Sequence, residues 1–267
     1  MPKTRNGSVI MHRIKRPQEP AAFVQYRLQH PDERNWGVFG SSTAYQTART
    51  DLYMNQKGFC AYCEAHLPWD EELNSPRTSC VRIEHFHAKA DPDPHHNWML
   101  DWKNIMIVCM SSGRGDVRHC DARKEDVQNG AFHVDGIPPG YVFEGYILNP
   151  YEMPHECLFK FDEKTGELTP DAMTCSRVAV QGNHHATTEI LVDRTIRVLN
   201  LNSKVLCRQR KAVHWEYEKR RATLRQRATK PLRELIAEEW FGNQRVLEFF
   251  TTRRCLLKGK AEPYIHD

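Results

Sequence analysis

The chain has 267 residues, 40% hydrophobic and 27% charged, enough to bury a sizeable core and ordinary for a globular protein. No stretch reaches the ~18 apolar residues of a membrane span, and the opening MPKTRNGSVIMHRIKRPQEP lacks the apolar centre of an export signal, so a cytoplasmic location is expected. The formal charge of +4 is uneven: from Lys204 to the end 16 Lys and Arg face 8 Asp and Glu, a net of +8, which leaves −4 on the first 203 residues. A basic C-terminal part fits either a polyanionic partner or a solvated helix face.

In chain order, residues 1–40 are expected to be irregular, with Pro2, Pro17, Pro20 and Pro31 as breakers. Ser42 to Gln56 reads as a helix whose Ala44, Tyr45, Ala48 and Leu52 share a face, ended by Gly58. Two strand-like runs follow, Cys80–Phe86 and Ile105–Cys109, then a helix from Asp121 to Gly130. Residues 136–154 are rich in Gly and Pro, with a strand expected at YVFEGYIL and a hairpin-like turn later at Lys164-Thr165-Gly166. The remainder reads as helical: Ala186–Leu199, a long helix capped by Ser203, another opened by Pro231, and VLEFFTTRRCLL after Gly242. This gives an N-terminal segment and helix (1–58), a core carrying the motifs below (59–135), a β-rich connector (136–170) and a helical C-terminal region (171–267).

Nine cysteines, an odd number, argue for thiols or metal sites rather than a disulfide framework. Cys60-Ala61-Tyr62-Cys63 sits on a tight turn and can fill two corners of a zinc tetrahedron. Cys109 ends a strand and Cys120 opens a helix. The polar, glycine-containing loop between them lets these two thiols converge on the first pair, with Cys80 as a substitute ligand. Four thiolates leave no open corner, so the site would be structural. The rival for a C-x-x-C is a redox pair, which would usually follow a strand; none precedes Cys60. Cys157, Cys175, Cys207 and Cys255 read as small buried apolar residues.

Between the two cysteine pairs lie Glu84-His85 and then Asn104, and Asp121 follows Cys120 directly. Glu84 and Asp121 offer hard oxygen ligands for Mg²⁺ or Mn²⁺. Strand alternation turns His85 to the other face of the pleat, from which a bulge or twist could bring it beside a phosphate. Its neutral imidazole is then suited to take a proton from water. Asn104 is expected to hold that imidazole by its side-chain amide. Lys89, Arg123 and Lys124 are candidate phosphate contacts, although exposed cations need no special role.

The order CAYCE (60–64), IEHF (83–86), DWKN (101–104), VC (108–109) and HCDARK (119–124) resembles zinc-stapled HNH endonucleases. More narrowly it resembles the PtuB nucleases of Septu and retron-linked anti-phage systems, with Lys89 after IEHF and with flanks MHRIKRPQEP, ILNPYE and TIRVLNLN. The resemblance implies an α+β protein: a ββα-metal core with a structural zinc and a mainly helical C-terminal region. It implies that His85 is the general base, that Asn104 positions it, and that Glu84 with the residue after the last cysteine holds the catalytic ion. It also implies a PtuA-type ATPase partner. The last metal position is commonly His or Asn, whereas this chain has Asp121, with His119 as the alternative. Two other readings stand beside it: a non-catalytic zinc module that binds nucleic acid or protein, and a restriction- or homing-type HNH nuclease.

Overall fold

The computed structural model describes residues 14–111, 115–226, 228, 230–242 and 245–265. Pro2, Met11–Arg13 of the N-terminal flank and Arg227 of the basic run lie outside them. Within the described residues, nine α-helices and three two-stranded antiparallel sheets enclose one continuous apolar core running from Ile14 to Ile265.

The expectation of an irregular start is corrected. Pro20, in an extended conformation, opens α1 (Ala21–Gln29), and Asn35 caps the short α2 (Trp36–Gly40) through its side chain. Phe23, Phe39 and Trp102 pack their rings together beneath them. The prolines therefore bound helices rather than prevent them. Arg16 and Pro17 strap the N-terminal segment to the site region, through Arg16 to the Trp102 carbonyl (2.5 Å) and the Trp102 indole to the Pro17 carbonyl (2.9 Å).

Helix α3 (Thr43–Asn55) follows its sequence pattern: Ser42 caps it, and Ala44, Ala48, Leu52 and Tyr53 face inward. Gln56, just beyond it, donates to the Ile107 carbonyl and accepts from the Ile107 N–H, both at 2.8 Å. That pairing fixes the helix end against the middle of a strand before the chain turns into the first cysteine pair. A small hairpin, β1 (Trp69–Asp70) with β2 (Ser75–Pro76), comes next.

Strand β3 (Val81–His85) pairs antiparallel with β4 (Ile105–Cys109) in five unbroken partners, from Val81 opposite Cys109 to His85 opposite Ile105. Ile105 to Val108 are all buried, as a strand covered on both faces requires. Helix α4 (Asp121–Gln128) follows. The chain thus runs strand, strand, helix, with Cys109 and Cys120 at the last junction.

No strand forms at YVFEGYIL; only an isolated bridge joins Glu144 and Ile147. Gly145 adopts φ +75°, and a Cβ there would lie 2.2 Å from the Gly182 carbonyl, so this glycine supplies a turn and a close approach that a strand could not. The hairpin β5 (Phe159–Phe161) and β6 (Leu168–Pro170) does form around Lys164-Thr165-Gly166. The short α5 (Ala172–Cys175) precedes α6 (Thr188–Val198), α7 (Lys204–Leu224), α8 (Leu232–Phe241) and α9 (Phe250–Leu257).

Helix α9 begins four residues later than VLEFFTTRRCLL suggests. Its start is set from far away: the Glu64 carboxyl accepts from the Thr251 N–H (2.9 Å) and hydroxyl (2.7 Å), and the Glu64 carbonyl accepts from the Phe249 N–H (3.0 Å). Phe249 stands in the left-handed region and supplies no cap of its own. Glu64→Ala is expected to cost about 1–2 kcal/mol, the worth of a helix cap, visible as a lower denaturant midpoint with an unchanged slope.

Candidate active site

The four cysteines meet. Their sulfurs all lie within 4.8 Å of one another, although Cys109 and Cys120 flank a ten-residue loop. Cys60 and Cys120 are 3.8 Å apart, and so are Cys63 and Cys109. A tetrahedron with metal–sulfur bonds of ~2.3 Å has edges of ~3.8 Å, so the cluster could hold a zinc ion and the thiols fit it. Burial pushes the Cys60 thiol up, but hydrogen bonds from Cys109, Cys120 and Cys63 outweigh it and hold it well below the usual thiol range. Cys120 sits at φ +56° while its N–H donates to the Leu199 carbonyl at 2.8 Å; such backbone persists only where the surroundings enforce it. Cys80 is not in the cluster.

On the α4 side of β3, Arg82 and Glu84 project together, as residues two apart in a strand must. Both lie near Asp121 in the first turn of α4: Arg82 is joined to it by an ion pair, and the Glu84 carboxyl is close enough for the two charges to act on each other. Glu84 Oε1 also accepts from the Lys124 ammonium (2.6 Å) and the Tyr62 hydroxyl (3.1 Å). Burial would raise Glu84, but Lys124, aided by Asp121, holds it at about 2. Burial and the neighbouring Glu84 charge push Asp121 well above the usual carboxylate range. A buried carboxylate held ionised beside a half-buried one pushed toward its neutral form offers oxygen donors of the kind a divalent cation takes. Tyr62, Arg82 and Lys124 were not foreseen as members of this cluster. The period-2 spacing of Arg82 and Glu84 and the one-turn spacing of Asp121 and Lys124 were the available signals.

His85 faces the other way, as alternation dictates, and no bulge interrupts the register. Its side of the strand is closed by the Trp36 ring, edge to face at 4.6 Å. Nε2 lies 3.1 Å from the Met99 carbonyl. A carbonyl only accepts, so the proton sits on Nε2 and Nδ1 keeps its lone pair. Nδ1 has no hydrogen-bond partner among the described residues. Burial, followed by the Lys89 charge, lowers His85 to about 4 and keeps it neutral. Lys89 is exposed, and its ammonium lies 5.8 Å from the Trp36 ring centre. The two faces are joined through the backbone: Lys124 Nζ donates to the His85 carbonyl at 2.6 Å as well as to Glu84.

Asn104 does something other than the sequence reading expected. Its amide does not touch the His85 ring. It accepts from the His87 N–H (2.7 Å) and donates to the carbonyls of His87 and Trp98 (both 2.9 Å). Asn104 therefore holds the 87–98 loop, whose continuation presents the Met99 carbonyl to His85. The phosphate contacts are corrected as well. Lys124 is 2% exposed and committed to Glu84, and Arg123 is buried with its guanidinium 4.0 Å from the Phe132 ring centre. Lys89 alone of the three is exposed. His119 lies on Ser111 Oγ (3.1 Å) and the Val117 carbonyl (3.0 Å); it is Asp121 that meets Glu84.

His87 is a supporting residue. It stacks on Trp98 at 3.8 Å, with Nδ1 3.2 Å from Glu144 and Nε2 2.7 Å from Asp91. Burial alone would lower its pKa; the hydrogen bonds to Glu144 and Asp91 prevail and raise it. A raised folded value means this clamp is fully present below the ordinary imidazole pKa and is lost as pH rises through the folded one. The stability advantage of the wild type over His87→Gln is expected to shrink by about 1 kcal/mol between pH ~6 and pH ~8, since both carboxylates are partly solvated. Chemical denaturation at the two pH values reads it.

The chain matches no protein-family model. Among curated proteins it is 27% identical over 259 residues to the Escherichia coli protein named "Retron Ec83 putative HNH endonuclease", covering 92% of this chain and 93% of that one.

Proposed function

We propose that this chain is a metal-dependent HNH endonuclease that hydrolyses phosphodiester bonds, of the PtuB kind, working beside a PtuA-type ATPase in anti-phage defence. The observation that carries the proposal is the four-cysteine cluster at the junction of β4 and α4, beside which Glu84 and Asp121 meet. Similarity along almost the whole length to a retron protein with an HNH endonuclease name supports the same reading.

In this proposal Glu84 and Asp121 hold the catalytic cation. A divalent ion held there would supply charge stabilisation to the phosphate and to the leaving oxygen. The Lys124 ammonium holds Glu84 ionised and fixes the end of β3 through the His85 carbonyl. His85 lies on the face of β3 opposite Glu84 and under the Trp36 ring, so its Nδ1 would take the proton from the attacking water once that ring moves aside and the phosphate reaches around the strand end, while the Met99 carbonyl keeps the opposite nitrogen protonated and the imidazole in place. Asn104 maintains the loop that carries this carbonyl. Lys89, exposed next to Trp36, receives a phosphate oxygen.

Plasmid DNA and RNA are each incubated with the protein and Mg²⁺ or Mn²⁺, with and without chelator, alone and with a co-purified ATPase. Cleavage that depends on added divalent ion is the expected result. Absence of cutting under every condition would overturn the nuclease reading in favour of a binding module.

A further inference from the structure

The phosphate-binding cations expected from the sequence lie mostly inside the protein, so a nuclease built this way needs another surface to hold its substrate. Helix α7 has one. Leu206, Arg210, Val213 and Tyr217 face the core. The opposite stripe, at three- and four-residue spacing, is Lys204, Arg208, Lys211, Trp215 and Lys219, all exposed. No acid lies on it. Glu216 and Glu218, the acids of the same helix, lie to either side and are paired: Glu216 with Arg253 (2.8 Å), Glu218 with Arg221 (2.7 Å). Lys204, Arg208, Lys211 and Lys219 have no ion-pair partner among the described residues.

Trp215 stands in the middle of these charges, 66% exposed, with the Lys219 ammonium 5.2 Å from its ring centre. An indole so exposed has lost the apolar cover that a large ring usually finds. The helix has 21 residues and so runs ~31 Å, presenting about one of these side chains per ~5.4 Å turn. Regularly spaced cations along a groove or ridge, interleaved with an aromatic platform, are the chemistry that holds single-stranded nucleic acid: charge for the phosphates, a flat ring for an unpaired base.

We infer that the outward stripe of α7 is a binding site for single-stranded nucleic acid, with Arg208, Lys211 and Lys219 on phosphates and Trp215 stacked on a base. The choice of nucleic acid as the polyanion rests on the nuclease reading; the stripe itself rests on exposure and charge. The complete chain is titrated into fluorescein-labelled single-stranded and duplex oligonucleotides without added divalent ion, between about 50 and 200 mM salt. Replacing Arg208, Lys211 and Lys219 together by Glu is expected to weaken single-strand binding at least 10-fold, and replacing them by Gln is expected to reduce the log–log salt slope by about 2. Trp215→Ala is expected to weaken single-strand binding about 10-fold and leave duplex binding unchanged. The substituted side chains are exposed, and thermal melting confirms that each variant is folded. Wild-type affinity and salt slope in the charge variants would overturn the inference, as would unchanged single-strand binding by Trp215→Ala. Cleavage is read separately. A protein that binds through the stripe and cuts nothing loses the nuclease reading and keeps this one. A protein that cuts, and whose charge variants bind and cut like wild type, keeps the nuclease reading and loses this one; an acidic protein partner on α7 gives that second result.

Discussion

His85→Ala is expected to reduce cleavage by about 10²–10⁴-fold, the usual contribution of a positioned general base, while leaving the cysteine cluster loaded and the fold intact. The reasoning is local. Nε2 is spent on the Met99 carbonyl, Nδ1 keeps a lone pair, and the imidazole stays neutral because it is buried and near Lys89. The substitution also removes an edge-to-face contact with Trp36, worth about 1 kcal/mol, which is too little to unfold a domain of ordinary stability. Nicking of supercoiled plasmid, metal content per chain and melting temperature are measured on the same preparation. Full cleavage by the variant would remove His85 from the reaction. A large fall in melting temperature would show instead that the ring is chiefly structural.

Cys60→Ser is expected to act on the opposite side of the ledger between fold and activity. Structural zinc in small domains supplies about 10–16 kcal/mol, as much as the whole net stability of a typical domain. Here the four thiols come from three separate places: the turn after α3, the end of β4 and the start of α4. Losing one corner should release the metal, unfasten α4 from the hairpin and separate Asp121 from Glu84. The predicted result is a protein without bound zinc, with a broad, low melting transition and no divalent-dependent cleavage. A variant that keeps both its zinc and its melting temperature would contradict the structural role. His85→Ala and Cys60→Ser therefore separate chemistry from scaffold: one loses cutting alone, the other loses both.

The parts of the site that rest on spacing were legible in the sequence. Cys60 and Cys63 announce themselves, and Cys109 and Cys120 follow from a strand end and a helix start. Glu84 and His85 fall on opposite faces by the period of a strand, and α3, α6 and α7 carry caps and apolar periodicity. What could not be read depends on partners that spacing does not encode. The Asn104 side chain bonds to backbone groups of residues 87 and 98, and any residue type can supply those. Lys124 looks like a solvent-facing helix cation, yet it is drawn inward by Glu84 and a free carbonyl. The strand expected at YVFEGYIL fails because Gly145 must turn beneath Gly182, a contact 37 positions away. The late start of α9 depends on Glu64, 187 positions upstream.

That last pairing bears on when the molecule becomes complete during its own synthesis. The turn carrying Cys60 and Cys63 leaves the ribosome early, but its neighbour Glu64 waits for Thr251, and Cys120 waits for the carbonyl of Leu199. At about 5–20 residues per second, roughly ten seconds or more separate emergence of the first thiols from arrival of the last helix. Closing contacts of such sequence separation is slow relative to local ones. A half-made chain thus carries the ligands of its centre without the frame that orders them, so the competence of this protein waits until α9 has been made.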